Sequence, residues 1–184
     1  MFECAEELRE VLRSSGDKQL TELAELLEMQ EELDKAILKE QGITRYPQAS
    51  MEVALFVELG EMLNELPTLF KHWKKTAEDN REKALLEYVD ALHFAMSLTN
   101  QYAFIITGSA STGLLLDKFK YSGEWPTSNK AFYMVDCIEQ ISPTQWKIKY
   151  LFRIGALLGF TWDEIYKVYK DKNAVNYQRL KEGY

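Results

Sequence analysis

Of 184 residues only two are cysteine, Cys4 and Cys137, far apart and without a CxxC spacing. That excludes a disulfide framework and a cysteine-built zinc site, and it predicts free thiols in a reducing compartment. Histidine is as scarce, with two residues, so no His/Cys cluster is at hand for zinc. No apolar run approaches the roughly 20 residues that a membrane span needs. The opening segment MFECAEELRE is acidic and lacks the basic start and apolar core of a signal peptide. A cytoplasmic protein is expected. There is no basic tail or stripe, and a formal net charge of −7 argues against duplex nucleic acid or an anionic membrane as a partner. A small polyanion stays admissible if a metal ion or a few local cations offset that field.

Sustained strand alternation, internal repeats and low-complexity tracts are also missing, and helix-period patterns dominate. With 46% hydrophobic and 28% charged residues, the composition is that of a soluble globular protein. The length suits one domain, 1–184. A first helix is expected from about Ala5 to Arg13. A second runs from about Asp17 to Glu40, with Gly42 as its stop. A third lies between Pro47 and Glu65, ahead of Pro67. A fourth covers about Asn80 to Tyr102. Residues 104–142 mix a β-branched run (Ile105-Ile106-Thr107), small residues (Gly108 to Gly113) and the loop-like Ser122-Gly123-Glu124-Trp125-Pro126, and they read as a partly irregular insertion. Two helices follow, about Pro143 to Leu158 and Trp162 to Lys181, the latter opened by a Thr161/Glu164 capping box. The expected fold is an all-α bundle with one irregular insertion. Gly108 to Gly113 lacks a following Gly-Lys-Ser/Thr and is rejected as a phosphate loop.

The third and fourth helices each carry two carboxylates three residues apart: Glu58 with Glu61, and Glu87 with Asp90. That spacing projects each pair from one helical face. One such pair in a chain with 29 acids is ordinarily solvated surface. Here both pairs lie beside apolar positions: Ala54, Leu55 and Met62 on the one helix, Ala84, Ala91 and Phe94 on the other. Four uncompensated charges at a core edge would exceed a domain's net stability of about 5–15 kcal/mol. A cation must neutralise them, and an oxygen-only cluster suits Mg²⁺ or Mn²⁺.

Glu58-x-x-Glu61 followed by Glu87-x-x-Asp90 resembles the signature of the all-α nucleoside triphosphate pyrophosphatases, which include MazG-like enzymes, phosphoribosyl-ATP pyrophosphohydrolases and dimeric dUTPases. Three further stretches resemble the dUTPases: Leu26 to Asp34 (LLEMQEELD), Phe70 to Lys74 (FKHWK), and Lys172 to Arg179 with Gly183-Tyr184. Together they cover most of 20–102 and 160–184.

The resemblance implies hydrolysis of dUTP, with dUDP as a further candidate, to dUMP and pyrophosphate by water attack on the α-phosphorus. It also implies a homodimer. Glu58, Glu61, Glu87 and Asp90 are the expected ligands of Mg²⁺ (or Mn²⁺), and Glu58 is the expected general base, although sequence cannot rank four acids in one cluster. Gln30 is expected to read uracil, since an amide offers donor and acceptor together. Asp34 stands where relatives often carry an amide. Trp73 and Phe94 are candidate walls for the base, with plain core as the alternative. His93 either lines the pocket or is a satisfied core histidine. Lys172, Asn176 and Arg179 fall on one stripe of the last helix and suit a phosphate chain, with Lys74 and Lys71 as weaker candidates. Two other readings stay open: a MazG-like or dCTP-directed pyrophosphatase, and a non-catalytic helical module whose acids meet a basic partner. A further protein partner could bind through 104–142.

Overall fold

A computed structural model describes residues 3–123, 129–142 and 145–183, with the side chains of Glu3 and Cys4 left aside. Among the described residues there are eight α-helices and no strand: α1 Glu3–Arg13, α2 Lys18–Glu40, α3 Gln48–Asn64, α4 Arg81–Ser109, α5 Thr112–Phe119, α6 Lys130–Ile141, α7 Lys147–Leu158 and α8 Trp162–Lys181. The all-α expectation holds.

The helix ends follow local chemistry. Asp17 caps α2 by accepting the backbone N–H groups of Gln19 and Leu20 at 2.9 and 3.3 Å. Gly42, at φ +63°, closes the same helix while Ile43 N–H returns to Leu38 C=O at 2.8 Å. That is the 6→1 bond of a glycine-terminated helix. Thr161 and Glu164 form the expected capping box at α8. Glu164 also receives both arms of Arg81, at 2.9 Å each, so the starts of α4 and α8 are tied together.

α4 is the central element and packs on α1, α2, α3, α5, α7 and α8. Its sequence explains this: Leu85, Tyr88, Val89, Leu92, Met96 and Ala103 are buried around much of its circumference, the pattern of a helix enclosed by neighbours. α3 lies along α4, and α8 packs on both α2 and α4. The C-terminal halves of α2 and α8 and the middle of α4 thereby meet the linker between α2 and α3.

The insertion differs from expectation. The β-branched run continues α4 to Ser109, and α5 and α6 follow as regular helices. Burial of Ile106 and Ala103 supplies packing that outweighs the weak helix preference of Ile105-Ile106-Thr107. Ser122 and Gly123 are non-helical as expected; Glu124, Trp125, Pro126 and Pro143 lie outside the described residues. Cys137 is a free, buried thiol. No helix among the described residues is long and apolar enough to cross a membrane.

Candidate active site

On α3 the core-facing stripe is Leu55, Leu59 and Met62. Glu58 and Glu61 stand beside that stripe, one helical turn apart. On α4 the buried run Tyr88-Val89 and Ala91-Leu92 places Glu87 and Asp90 on the neighbouring edge. Because α3 and α4 pack together, carboxylate oxygens of Glu58, Glu61 and Glu87 lie within 4.8 Å of one another. Asp90 sits next to them, close enough for its charge to raise Glu58 and Glu87, and is ion-paired with Lys172 of α8.

The electrostatics register this crowding. The Glu58 carboxyl is pushed up to about 7, first by burial and then by the charges of Asp90, Glu61 and Glu87, with Lys172 opposing. Burial likewise raises Glu87, against the pull of Lys172. Four acids facing one ammonium leave the cluster short of positive charge, and all the donors are hard oxygens. The set fits a divalent cation of the Mg²⁺ class, and Lys172 on Asp90 marks the demand for one.

Beside the cluster lies a cavity of about 330 Å³ whose walls come from α2, the 41–47 linker, α3, α4 and α8. Ile37, Ile43, Met51 and Phe94 make it largely apolar, while Gln30, Asp34 and His93 supply polar groups. A second crevice, lined by Leu86, Asp90 and Lys172, shares Asn176 and Arg179 with this cavity. The α8 stripe at 172, 176 and 179 thus runs from the acids to the cavity mouth.

At the cavity wall Gln30 is 3% exposed and engaged at both ends of its amide. Its Nε2 donates to Asp34 Oδ1 at 2.7 Å. Its Oε1 accepts the Tyr169 hydroxyl at 2.6 Å and faces His93 Nδ1 at 2.7 Å. His93 stacks on Tyr169 with ring centroids 3.9 Å apart. Gln30 therefore orders the wall of the cavity, and its amide is already occupied by protein groups.

Most of the sequence-predicted residues come together, and those on the segment between α3 and α4 do not. Trp73, 67% exposed, and Lys74, also exposed, lie on the segment between α3 and α4 and line neither cavity. Lys71 stays on the same segment, its ammonium over the Phe70 ring. Lys172, the expected phosphate holder, is ion-paired with Asp90 at the start of the α8 stripe. Sequence reasoning missed Tyr169, Tyr46 and Ser97. Tyr169 had a signal, since Ile165, Tyr169 and Asn173 recur at four-residue spacing and form the buried face of α8. Tyr46, whose hydroxyl meets Ser97 Oγ at 2.7 Å, had none.

A model of the dUTPase family matches residues 22–184. Among curated proteins none matches the chain. The match begins inside α2 and spans the acidic cluster, the cavity and the α8 stripe, and so this chain belongs to the all-α dimeric dUTPase family, whose activity is dUTP diphosphatase.

Proposed function

We propose that this dUTPase binds the base of dUTP in the 330 Å³ cavity and its triphosphate along the α8 stripe, with the α-phosphorus at the acidic cluster. The observation that carries this reading is the continuity of the two places: Asn176 and Arg179 border both the cavity and the crevice that contains Asp90. dUTPases generally use a divalent metal. Mg²⁺ is the ion proposed here, with Mn²⁺ as a substitute, held by Glu61, Glu87 and Asp90 together with Glu58. When bound, such an ion offsets triphosphate charge and makes a water more acidic.

The chain's own groups do the rest. Glu58, whose carboxyl is pushed up to about 7 by burial and by its acidic neighbours, takes the proton of the attacking water. Arg179 and Asn176 hold phosphate oxygens, the guanidinium through paired N–H donors. Lys172 leaves Asp90 for the phosphates when the cluster is neutralised. Phe94, His93 and the Gln30 network wall the base, and the apolar lining excludes water from that end of the substrate.

A homodimer is part of the proposal. Val53, Phe56, Val57 and Gly60 repeat at helical spacing along one side of α3; Val53 and Val57 are 64% and 50% exposed. An apolar stripe of that kind on a lone chain is the mark of a self-association face. Action in the cytoplasm fits the two widely spaced cysteines.

Binding of Mn²⁺ without nucleotide, followed by its paramagnetic signal, tests the metal site. Wild-type protein should bind it, and Glu87→Gln should weaken binding by about 10-fold or more. Equal binding by Glu87→Gln would remove the acids from the site. For the α8 stripe, Arg179→Ala should raise the KM for dUTP about 10- to 100-fold, the loss of its paired charge-assisted contact with phosphate.

A further inference from the structure

Two buried polar atoms at the base cavity meet no partner among the described residues: Asp34 Oδ2 and His93 Nε2. Both residues line the cavity and are only 4% and 5% exposed. The Gln30 amide fixes what these atoms can do. Its oxygen faces His93 Nδ1, so that nitrogen carries the ring proton. Burial holds His93 down to about 3, which keeps the imidazole neutral and leaves Nε2 as a lone-pair acceptor. One N–H of the amide nitrogen donates to Asp34 Oδ1, which leaves Oδ2 for a ligand.

We propose that Asp34 reads the 4-position of the bound pyrimidine and that its carboxyl admits a 4-aminopyrimidine deoxynucleotide, dCTP, as a second substrate beside dUTP. This rests on the placement of the base in the cavity. A 4-amino group brings two N–H donors, and the cavity holds two acceptors for them, ionised Asp34 Oδ2 and His93 Nε2. Uracil presents the opposite edge, a 4-keto acceptor next to an N3–H donor. A carboxylate gives that oxygen nothing to bond with, whereas a protonated Asp34 supplies a donor to it. The two substrates therefore select opposite protonation states of one side chain.

Burial makes both states accessible near neutrality by pushing Asp34 up to about 6, with Ser97 and Gln30 restraining the rise and Glu31 adding to it. The groups around it leave this titration to Asp34. On α2, Gln30 is neutral and Glu31 is ion-paired with Arg9 and Lys35. On α4, Ser97 is neutral and His93 is held down. On α8, burial raises Tyr169 and Tyr177, and Arg179 lines the same cavity. Burial raises Tyr46, on the linker, too.

The test is the ratio of kcat/KM for dUTP to kcat/KM for dCTP, measured from about pH 6 to about pH 8.5 with Mg²⁺. The two substrates share one triphosphate, so titration of phosphate and of the acidic cluster cancels in the ratio. Wild-type enzyme should lose dUTP preference as pH rises, by up to about 10-fold per pH unit, the limit for one proton. In Asp34→Asn the Gln30 amide still claims the side-chain oxygen, which puts an NH₂ donor where Oδ2 was. That variant should give a ratio that favours dUTP and does not change with pH. A pH-independent ratio in the wild type, or an Asp34→Asn ratio that follows the wild type, overturns the proposal. Ile37→Trp, which fills the cavity, separates the two levels. If it leaves both KM values unchanged, the base is not bound there and the placement itself falls. If it raises them while Asp34→Asn behaves as wild type, only the role of Asp34 falls.

Discussion

Glu58 is asked to do two things that conflict. It must stand close enough to Glu61, Glu87 and Asp90 to share a cation, and in the metal-free chain that closeness is repulsive. Its carboxyl, raised to about 7, carries the cost. Sites that act at the expense of stability are expected to gain stability when disarmed. Glu58→Gln should therefore raise the thermal midpoint of the metal-free protein while dUTP turnover falls by at least about 100-fold. A variant that lost stability and turnover together would point to a structural carboxylate. Asp34 behaves similarly, and burial is the largest cause in both. Its folded value of about 6 lies above the ordinary 3.8, so protonation favours the folded state. That contribution is complete below about pH 4 and is lost as pH climbs through about 6. Asp34→Asn removes the loss and should stabilise the protein by about 1–3 kcal/mol at pH 7, with little gain at pH 4. Urea midpoints at the two pH values check it, and an equal shift at both would exclude burial of the charge as the cause.

α8 joins the scales, since its N-terminus is capped, its middle builds the cavity wall and its last turns carry Asn176 and Arg179. The cap was legible in four residues, because Thr161-x-x-Glu164 satisfies two backbone donors whatever surrounds it. The course of α4 beyond Tyr102 was not legible. Residues 104–109 have weak helix preference, and they stay helical because Ala103 and Ile106 find a core to enter. Thr161→Ala should cost about 1 kcal/mol, read from chemical unfolding. Gly155 on α7 sets a stricter limit. A Cβ there would lie 2.7 Å from the Tyr88 hydroxyl, which is buried and bonded to Leu151 C=O at 3.0 Å. Gly155→Ala should therefore destabilise the protein by about 1–3 kcal/mol.

For the molecule as a whole, legibility divided by distance along the chain. The acid pairs are local: three-residue spacing on two helices, with apolar neighbours that imply packing, was enough to bring Glu58, Glu61 and Glu87 together. The cavity is non-local. Gln30, Tyr46, His93 and Tyr169 come from three helices and a linker, and their mutual bonds depend on how α2, α4 and α8 cross. Trp73 and Lys74 show the converse: adjacency to the motif in sequence did not bring them to the cavity. The exposed stripe on α3 belongs to this scale as well. Val57→Lys should shift the protein from dimer to monomer in sedimentation velocity, and a monomeric wild type would exclude the stripe as a self-association face.

The central claim is that the clustered acids, charged with a divalent ion, carry out dUTP cleavage. Pyrophosphate release from dUTP, by wild type and Glu61→Gln, each with Mg²⁺ and with EDTA, tests it most directly. Release by the wild type that needs Mg²⁺, and its loss in Glu61→Gln with the fold intact, is the predicted result. Undiminished release in EDTA, or a Glu61→Gln enzyme as fast as the wild type, would contradict it.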